Sequence, residues 1–342
     1  MSGFERRVVR PIGGAQGEKV ETEGPTAMDQ LWAVTSYFNP LRWQSRLENY
    51  RCFRRRLGVP LITVEWSPTG RFELCSDDAE VLIQVQGGDL MWQKERLLNR
   101  ALARLPPEAE SVAWLDCDIV FCEPRWKTLT CEALEAHEMV QLFSDIYHLG
   151  SAQTQMVLDA RDEEVVPRRR VLQESPTVPS ATRMVLQTGA DDLVGRLETN
   201  PGVAWAAKRQ TLEQIGLFDR GIIGGGAYFC MLGILGTSAK RLEARKEAFS
   251  YLTQSSYPSW AEAAYDRIQR RIGYLEVAVA HLHHGDLRRR HYRRRHFEFN
   301  RLEIDIETDI RRSGEGPWEF VSPRPEWTAF MREYFLERQD DG

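Results

Sequence analysis

The run Trp114-Leu-Asp-Cys-Asp-Ile-Val-Phe121 constrains this chain more than any other segment. It is apolar and strand-like, yet Asp116 and Asp118 interrupt it one residue apart. Side chains alternate along a strand, so the pair is expected on one face. Two carboxylates on one face of a buried strand repel each other and lose hydration, which is costly unless a cation or hydrogen-bond donors compensate. A strand that ends here puts both acids at its carboxyl edge, where open α/β sheets bind ligands. The simplest occupant is a hard divalent ion shared with phosphate oxygens. An acidic pair also occurs in solvated turns and N-caps, but the apolar flanks Val112–Leu115 and Ile119–Phe121 favour burial.

The surrounding pattern suits such a sheet. Leu31–Thr35, Leu61–Glu65 and Val81–Val85 read as strands, and Leu47, Tyr50, Phe53 and Leu57 recur at helical spacing between the first two. Asp89 is placed to cap a helix carrying Leu90, Trp92, Leu97, Leu98, Ala101 and Leu105, and Pro106-Pro107 ends it before the acidic strand. This rhythm predicts an α/β fold with a doubly wound, mostly parallel central sheet and flanking helices. Val140–Phe143 adds a short strand, regularity returns at Gly202–Ala207, and Leu212–Ile215 reads as a helix, Tyr251–Tyr274 as a helical stretch and Val277–Leu282 as strand-like.

Two segments lack periodicity. Residues 1–28 are rich in Gly, Glu, Thr and Pro and read as a flexible N-terminal tail. Residues 150–200 mix Pro, Ser, Gln and charged runs, and an irregular stretch of that length is functional or disordered. The expected organisation is a single domain over 29–342. Two periodic halves, 29–149 and 201–342, flank the irregular 150–200 segment.

Bulk composition excludes several classes. The chain is 42% apolar and 28% charged with net charge −5, so it is a soluble globular protein and not a generic nucleic-acid binder. No apolar run approaches the roughly 18 residues needed to span a membrane, and no secretory signal is read at the start. The six cysteines form no CxxC pair, which argues against structural zinc and for reduced thiols in the cytoplasm.

Lys94 and Asn99, within Lys94-Glu-Arg-Leu-Leu-Asn99, precede the acidic pair. Together these motifs resemble the nucleotide-sugar-binding half of GT-A-fold glycosyltransferases. The likeness extends to Val34-Thr-Ser-Tyr-Phe-Asn39, Asn49-Tyr50-x-x-Phe53, Pro60-Leu61, Glu65 and Trp92-x-Lys94-Glu95. It continues through Gly202-x-Ala204-Trp205-Ala206, His281-x-x-His284-Gly285-Asp286 and Trp318-Glu319…Tyr334-Phe335-x-x-Arg338. It covers most of Leu31 to Arg338, is weakest between Gly150 and Thr199, and is similar to a bacterial and phage-type branch of that superfamily.

The resemblance implies a Rossmann-like nucleotide-binding half and a hexosyltransferase-type enzyme. Its donor would be a nucleotide-diphosphate sugar, a UDP-sugar first, and its acceptor an unidentified glycan, lipid or protein. It implies Mn²⁺ or Mg²⁺ on Asp118, with Asp116 near the ribose or sugar and counted with the ligands. Thr35, Glu65, Lys94 and Asn99 are implied on the donor side. The metal would neutralise charge developing on the leaving diphosphate. Late histidines complete the metal set: His284 first and His281 next, with His283 a hydrogen-bonded bystander. Strand alternation alone puts His281 and His283 on one face and His284 on the other, unless the strand ends there.

Arg288-Arg-Arg-His-Tyr-Arg-Arg-Arg295 reads mostly as a solvated basic face paired with acids such as Glu298 and Glu303. Arg288 is assigned to the donor diphosphate, since a guanidinium suits bidentate phosphate contact. Gly221-Ile-Ile-Gly-Gly-Gly-Ala227 departs from the family's pattern: related loops commonly end in the acid that deprotonates the acceptor, and here that position is Ala227. Asp219 and, further off, Asp286 are the substitute candidates. The departure keeps a second reading open, a catalytically silent relative that binds nucleotide sugar or glycan. A sugar nucleotidyltransferase ranks lower, because Thr35-Ser-Tyr-Phe-Asn-Pro40 stands where such enzymes carry a Gly-rich basic loop.

Overall fold

The computed structural model describes residues 5–9, 30–161, 172, 175–189, 199–292, 294–312 and 314–341. The elements that frame the site begin with β1 (Glu5–Val9), β2 (Leu31–Phe38), α1 (Gln44–Leu57), β3 (Leu61–Ser67), β4 (Val81–Gln86) and α2 (Lys94–Leu102). β5 (Ser111–Leu115), β6 (Ile119–Phe121), α3 (Trp126–Ala136), β7 (Met139–Gln141), β8 (Asp145–His148) and α4 (Ser151–Asp159) follow. Next come β9 (Thr177–Pro179), α5 (Ala181–Thr188), β10 (Ala204–Lys208), α6 (Arg209–Ile215) and α7 (Gly226–Ile234). The chain closes with α8 (Ser238–Ala244), α9 (Lys246–Thr253), α10 (Tyr257–Ile268), β11 (Ile272–Tyr274) and β12 (Ala278–His281). After these lie α11 (Arg294–Asn300), β13 (Ile310–Arg312), β14 (Trp318–Phe320) and α12 (Pro325–Glu337).

The main sheet has the order β1-β4-β3-β2-β5-β10-β7-β11. β4, β3, β2 and β5 run parallel, while β1 and β10 run antiparallel to their neighbours. This is the expected doubly wound α/β sheet. Its central strands are buried on both faces, as parallel strands covered by helices must be. Along β2, Trp32, Val34 and Phe38 pack toward the α2 and α7 side, and Leu31, Ala33 and Tyr37 pack toward α1. Helix α1 contributes Tyr50, Phe53 and Leu57 to that second layer, at the spacing read from the sequence.

Chain order from β2 first builds outward to β3 and β4, then returns to place β5 on the other side of β2. The crevice between the carboxyl ends of β2 and β5 is therefore a topological switch point, the default ligand position in such sheets. A second sheet of order β6-β12-β8-β9 stands beyond it.

Several expectations are corrected. The Trp114–Phe121 run is not one strand: β5 ends at Leu115, the chain turns at Asp116–Asp118, and β6 joins the other sheet. Alternation thus does not put the two acids on one face. Asp89 does not cap α2; its carboxylate accepts the Phe320 amide at 2.7 Å and anchors β14. Residues 246–274 form two helices and a strand instead of one helical stretch. Within 150–200, α4, β9 and α5 are regular elements, and 162–171, 173–174 and 190–198 lie outside the described residues. Of the proposed tail, residues 5–9 pair with β4 as an edge strand; 1–4 and 10–28 lie outside the described residues.

Candidate functional site

Three ligand-type side chains meet where the two sheets approach. The Leu282 amide donates to the Asp118 carbonyl at 2.8 Å, and Ile119 pairs with His281 across β6 and β12. This register sets Asp118 beside the end of β12. His284 Nε2 lies 2.9 Å from Asp118 Oδ2, and His281 Nε2 lies 3.6 Å from Asp118 Oδ1. The two imidazole Nε2 atoms are 3.4 Å apart. The three ligand atoms fall within 4.8 Å of one another, and all three residues are buried.

The residues fit a divalent ion. Asp118 Oδ1 is buried without a hydrogen-bond partner, an acceptor that a cation would satisfy. Burial holds both imidazoles below their ordinary range, assisted at His284 by Arg290, so they are neutral and able to ligate. Burial acts to raise the Asp118 carboxyl, but the hydrogen bond from His284 and the Arg46 charge outweigh it and leave an ionised carboxylate. A carboxylate with two imidazoles is a softer donor set than Mg²⁺ prefers and suits Mn²⁺ or its heavier neighbours.

Asp116 takes another direction. Its amide donates to the Val203 carbonyl at 2.7 Å, and its carboxylate pairs with the Lys94 ammonium at the start of α2. Burial acts to lower the Lys94 pKa, but Asp116 and Glu95 reverse this and hold the ammonium charged. Val203, a β-branched residue, adopts φ 75°, a strained conformation at the rim of the site.

Arginines surround His284. Arg46 of α1 has Nη1 3.0 Å from His284 Nδ1 and 3.2 Å from Asp340 Oδ2. Arg290 Nη2 also contacts the His284 ring, and Arg338 Nη2 lies 3.3 Å from Asp340 Oδ2. Arg290 and Arg338 are buried, and the Nε of each lacks a hydrogen-bond partner. Buried guanidiniums in excess of carboxylates mark a place for an anion. A shallow recess adjoins them at the end of β2, between Phe38, Pro40, Leu41, Trp43 and Phe335.

The remaining sequence candidates lie elsewhere. Thr35 is 0% exposed, and its hydroxyl donates to the Leu115 carbonyl, so it ties β2 to β5 without facing the cleft. Glu65 is buried, and its carboxylate accepts from Glu73 N, Leu74 N and Gln84 Nε2. It shapes a loop. Asn99 clamps Leu217 through both its amide atoms, at 2.8 and 2.9 Å. Asp219 is held by Asn99 and by Arg96, at 3.3 and 3.6 Å. Asp286 caps the turn at Leu287 and pairs with Arg288, whose side chain is 91% exposed. Arg288 therefore faces solvent, while Arg290, two residues on, lies against His284.

Sequence reading missed Arg46, Arg290, Arg338 and Asp340. Arg338 stood in a quoted motif and Arg290 inside the basic run, but the pattern gave no reason to prefer them. Helix α1 brings Arg46, and the C-terminal segment brings Asp340, from opposite ends of the chain.

No family model matches the chain, and no curated protein matches it. Solved structures do. Glucosyl-3-phosphoglycerate synthase from Mycobacterium tuberculosis, with Mn²⁺, UDP and glucosyl-3-phosphoglycerate, shares 12% identity over 85% of this chain and 83% of its own, at TM-score 0.37. Drosophila β1,4-galactosyltransferase 7, with manganese, UDP-Gal and xylobiose, shares 9% over 88% and 98%, at TM-score 0.37. TarS from S. aureus with UDP-GlcNAc shares 10% over 73% and 58%, at TM-score 0.33. At such scores the reading of the site rests on this chain's own residues.

Proposed function

We propose that this chain is a GT-A-type, metal-dependent glycosyltransferase that moves a sugar from a nucleotide-diphosphate donor to an acceptor hydroxyl. The observation that carries the reading is the Asp118, His281 and His284 group beside the β2–β5 switch point, ringed by Arg46 and by the buried Arg290 and Arg338. A divalent ion held there would act as a Lewis acid toward the departing diphosphate. The arginines' task is to hold the phosphate oxygens and exclude water. The aromatic recess at Phe38 and Trp43 suits the nucleobase, and the Lys94–Asp116 pair suits the ribose or sugar. Mn²⁺ is assigned over Mg²⁺ from the imidazoles, and UDP is assigned as the first nucleotide to test.

Helix α4 stands on the α1 side of the metal group. Thr154 Oγ1 accepts the His283 amide at 2.7 Å, so this helix adjoins the histidine loop. No described helix is long and apolar enough to cross a membrane, and all six cysteines are free, which suits a reducing cytoplasm.

Calorimetry of UDP, GDP, CDP and dTDP, with Mn²⁺, with Mg²⁺ and with EDTA, tests the donor site. One nucleotide should bind tightly with Mn²⁺, more weakly with Mg²⁺ and not with EDTA. Asp118→Asn should abolish that binding while its far-ultraviolet dichroism stays that of the wild type. Metal-independent binding, or wild-type affinity in the variant, would reject the site.

A second reading has specific support. Ala227 is no base, and Asp219 and Asp286 are engaged elsewhere, as a binding protein without turnover would allow. Nucleotide-sugar binding without any release of nucleotide would mark that case.

A further inference from the structure

Transfer of a sugar to a hydroxyl releases a proton, and the loop ending at Ala227 offers nothing to take it. The three-dimensional surroundings of that loop do. Gly226 opens α7, and a Cβ built on it would overlap the carboxyl group of Glu95. The Glu95 carboxylate therefore fills the space that a side chain from this loop position would occupy. It arrives from the opposite wall, the first turn of α2.

Glu95 is fixed there. Its Oε2 accepts the Trp92 indole N–H at 3.2 Å, and the residue is 6% exposed. The preceding residue, Lys94, grips Asp116, so one helical turn presents the donor-side ammonium and this carboxylate together. Both line a narrow recess whose walls include Trp114, Gly202, Trp205 and Ala227. Glu95 is the one acid among the lining residues. Burial pushes its carboxyl above the ordinary value, with Lys94 acting in the opposite sense. A carboxylate so raised accepts a proton more readily than an exposed one.

Building on the glycosyltransferase reading, we infer that Glu95 is the proton acceptor of the transfer and that the recess it borders admits the acceptor's hydroxyl-bearing end. The acceptor oxygen forms a bond to the sugar's anomeric carbon as the bond from that carbon to the diphosphate oxygen breaks. The diphosphate leaves with the bonding electron pair, and the hydroxyl proton passes to a Glu95 carboxylate oxygen. In the absence of an acceptor, water fills the same role and the donor is hydrolysed.

The test measures Mn²⁺-dependent UDP binding by calorimetry and UDP release from UDP-glucose, UDP-galactose and UDP-GlcNAc in water. Glu95→Gln keeps the shape and still accepts from Trp92. It should bind UDP within about threefold of wild type, yet release it about 100- to 10,000-fold more slowly, the span of a lost general base. Glu95→Ala with added azide should regain UDP release and form the glycosyl azide, because an anionic nucleophile carries no proton to remove. Wild-type release by Glu95→Gln, or no response of Glu95→Ala to azide, would overturn the assignment while leaving the donor site standing. A wild-type protein that binds no UDP with Mn²⁺ would instead remove the glycosyltransferase reading beneath it.

Discussion

At the scale of residues, Asp116 and Asp118 are neighbours in sequence with separate tasks. The turn between β5 and β6 sends one to Lys94 and the other to two histidines. The need of a buried pair of carboxylates for cationic partners was legible in the sequence. That the partners would be an ammonium for one and an imidazole pair for the other was not. Gly226 is the complementary case: the sequence shows a glycine run, and only the fold shows that the last glycine leaves room for Glu95. Gly226→Ala should destabilise the protein by about 1–3 kcal/mol through overpacking. The urea midpoint should fall while the denaturant slope stays constant, and an unchanged midpoint would mean that the carboxylate moves aside at no cost.

At the scale of elements, the second sheet and the C-terminal segment complete what the main sheet begins. Strands β6 and β12 bring Asp118 to His281, and the segment after α12 lays Asp340 and Asp341 against α1. Helix α1 has no local side-chain cap; Asp341 accepts its Gln44 and Ser45 amides, at 2.9 and 2.8 Å. Asp340 meets His284, Arg46 and Arg338 in the interior, and in spite of burial the His284 hydrogen bond and the two arginine charges hold its carboxyl well below the usual range. The two acids should therefore differ in weight. Asp341→Ala should cost about 1 kcal/mol, the value of a lost cap. Asp340→Asn should cost about 3–5 kcal/mol, because it strands buried guanidiniums. Chemical denaturation of both variants checks the ranking, and equal losses would contradict the interior ion cluster.

At the scale of the whole molecule, stability should carry the mark of buried histidines. Burial lowers His148 to about 4, assisted by Arg290, and lowers His296 well below its ordinary value, assisted by Arg295. In the unfolded chain these rings take protons below about pH 6.5. The unfolded state then binds more protons than the folded one, so their contribution is full above pH 6.5 and is lost as pH falls toward 4. Buried carboxyls raised above their ordinary values, Glu65 and Glu95 among them, act in the opposite sense. A paired measurement cancels them. His296→Gln should lose less stability than wild type between pH 7 and 4.5, as read from thermal midpoints at each pH. Parallel curves would show that His296 does not titrate in this window.

Local pattern was enough to read a doubly wound sheet with an acidic pair at a strand's edge, and residue type was enough to single out the late histidines as candidates. Periodicity and burial are local properties, repeated every two or three to four residues, and are readable one segment at a time. The same pattern misjudged Trp114–Phe121, Asp89 and residues 150–200, where a turn, a distant strand and a neighbouring sheet override local preference. Tertiary structure alone decided which polar residues meet. Arg46, Arg290 and the Arg338–Asp340 pair lie far apart in sequence, and Glu95 meets Gly226 across more than a hundred residues. Whether a charge is a partner, an anchor or a reactive group depends on what is desolvated beside it, and that is set only when the chain closes on itself.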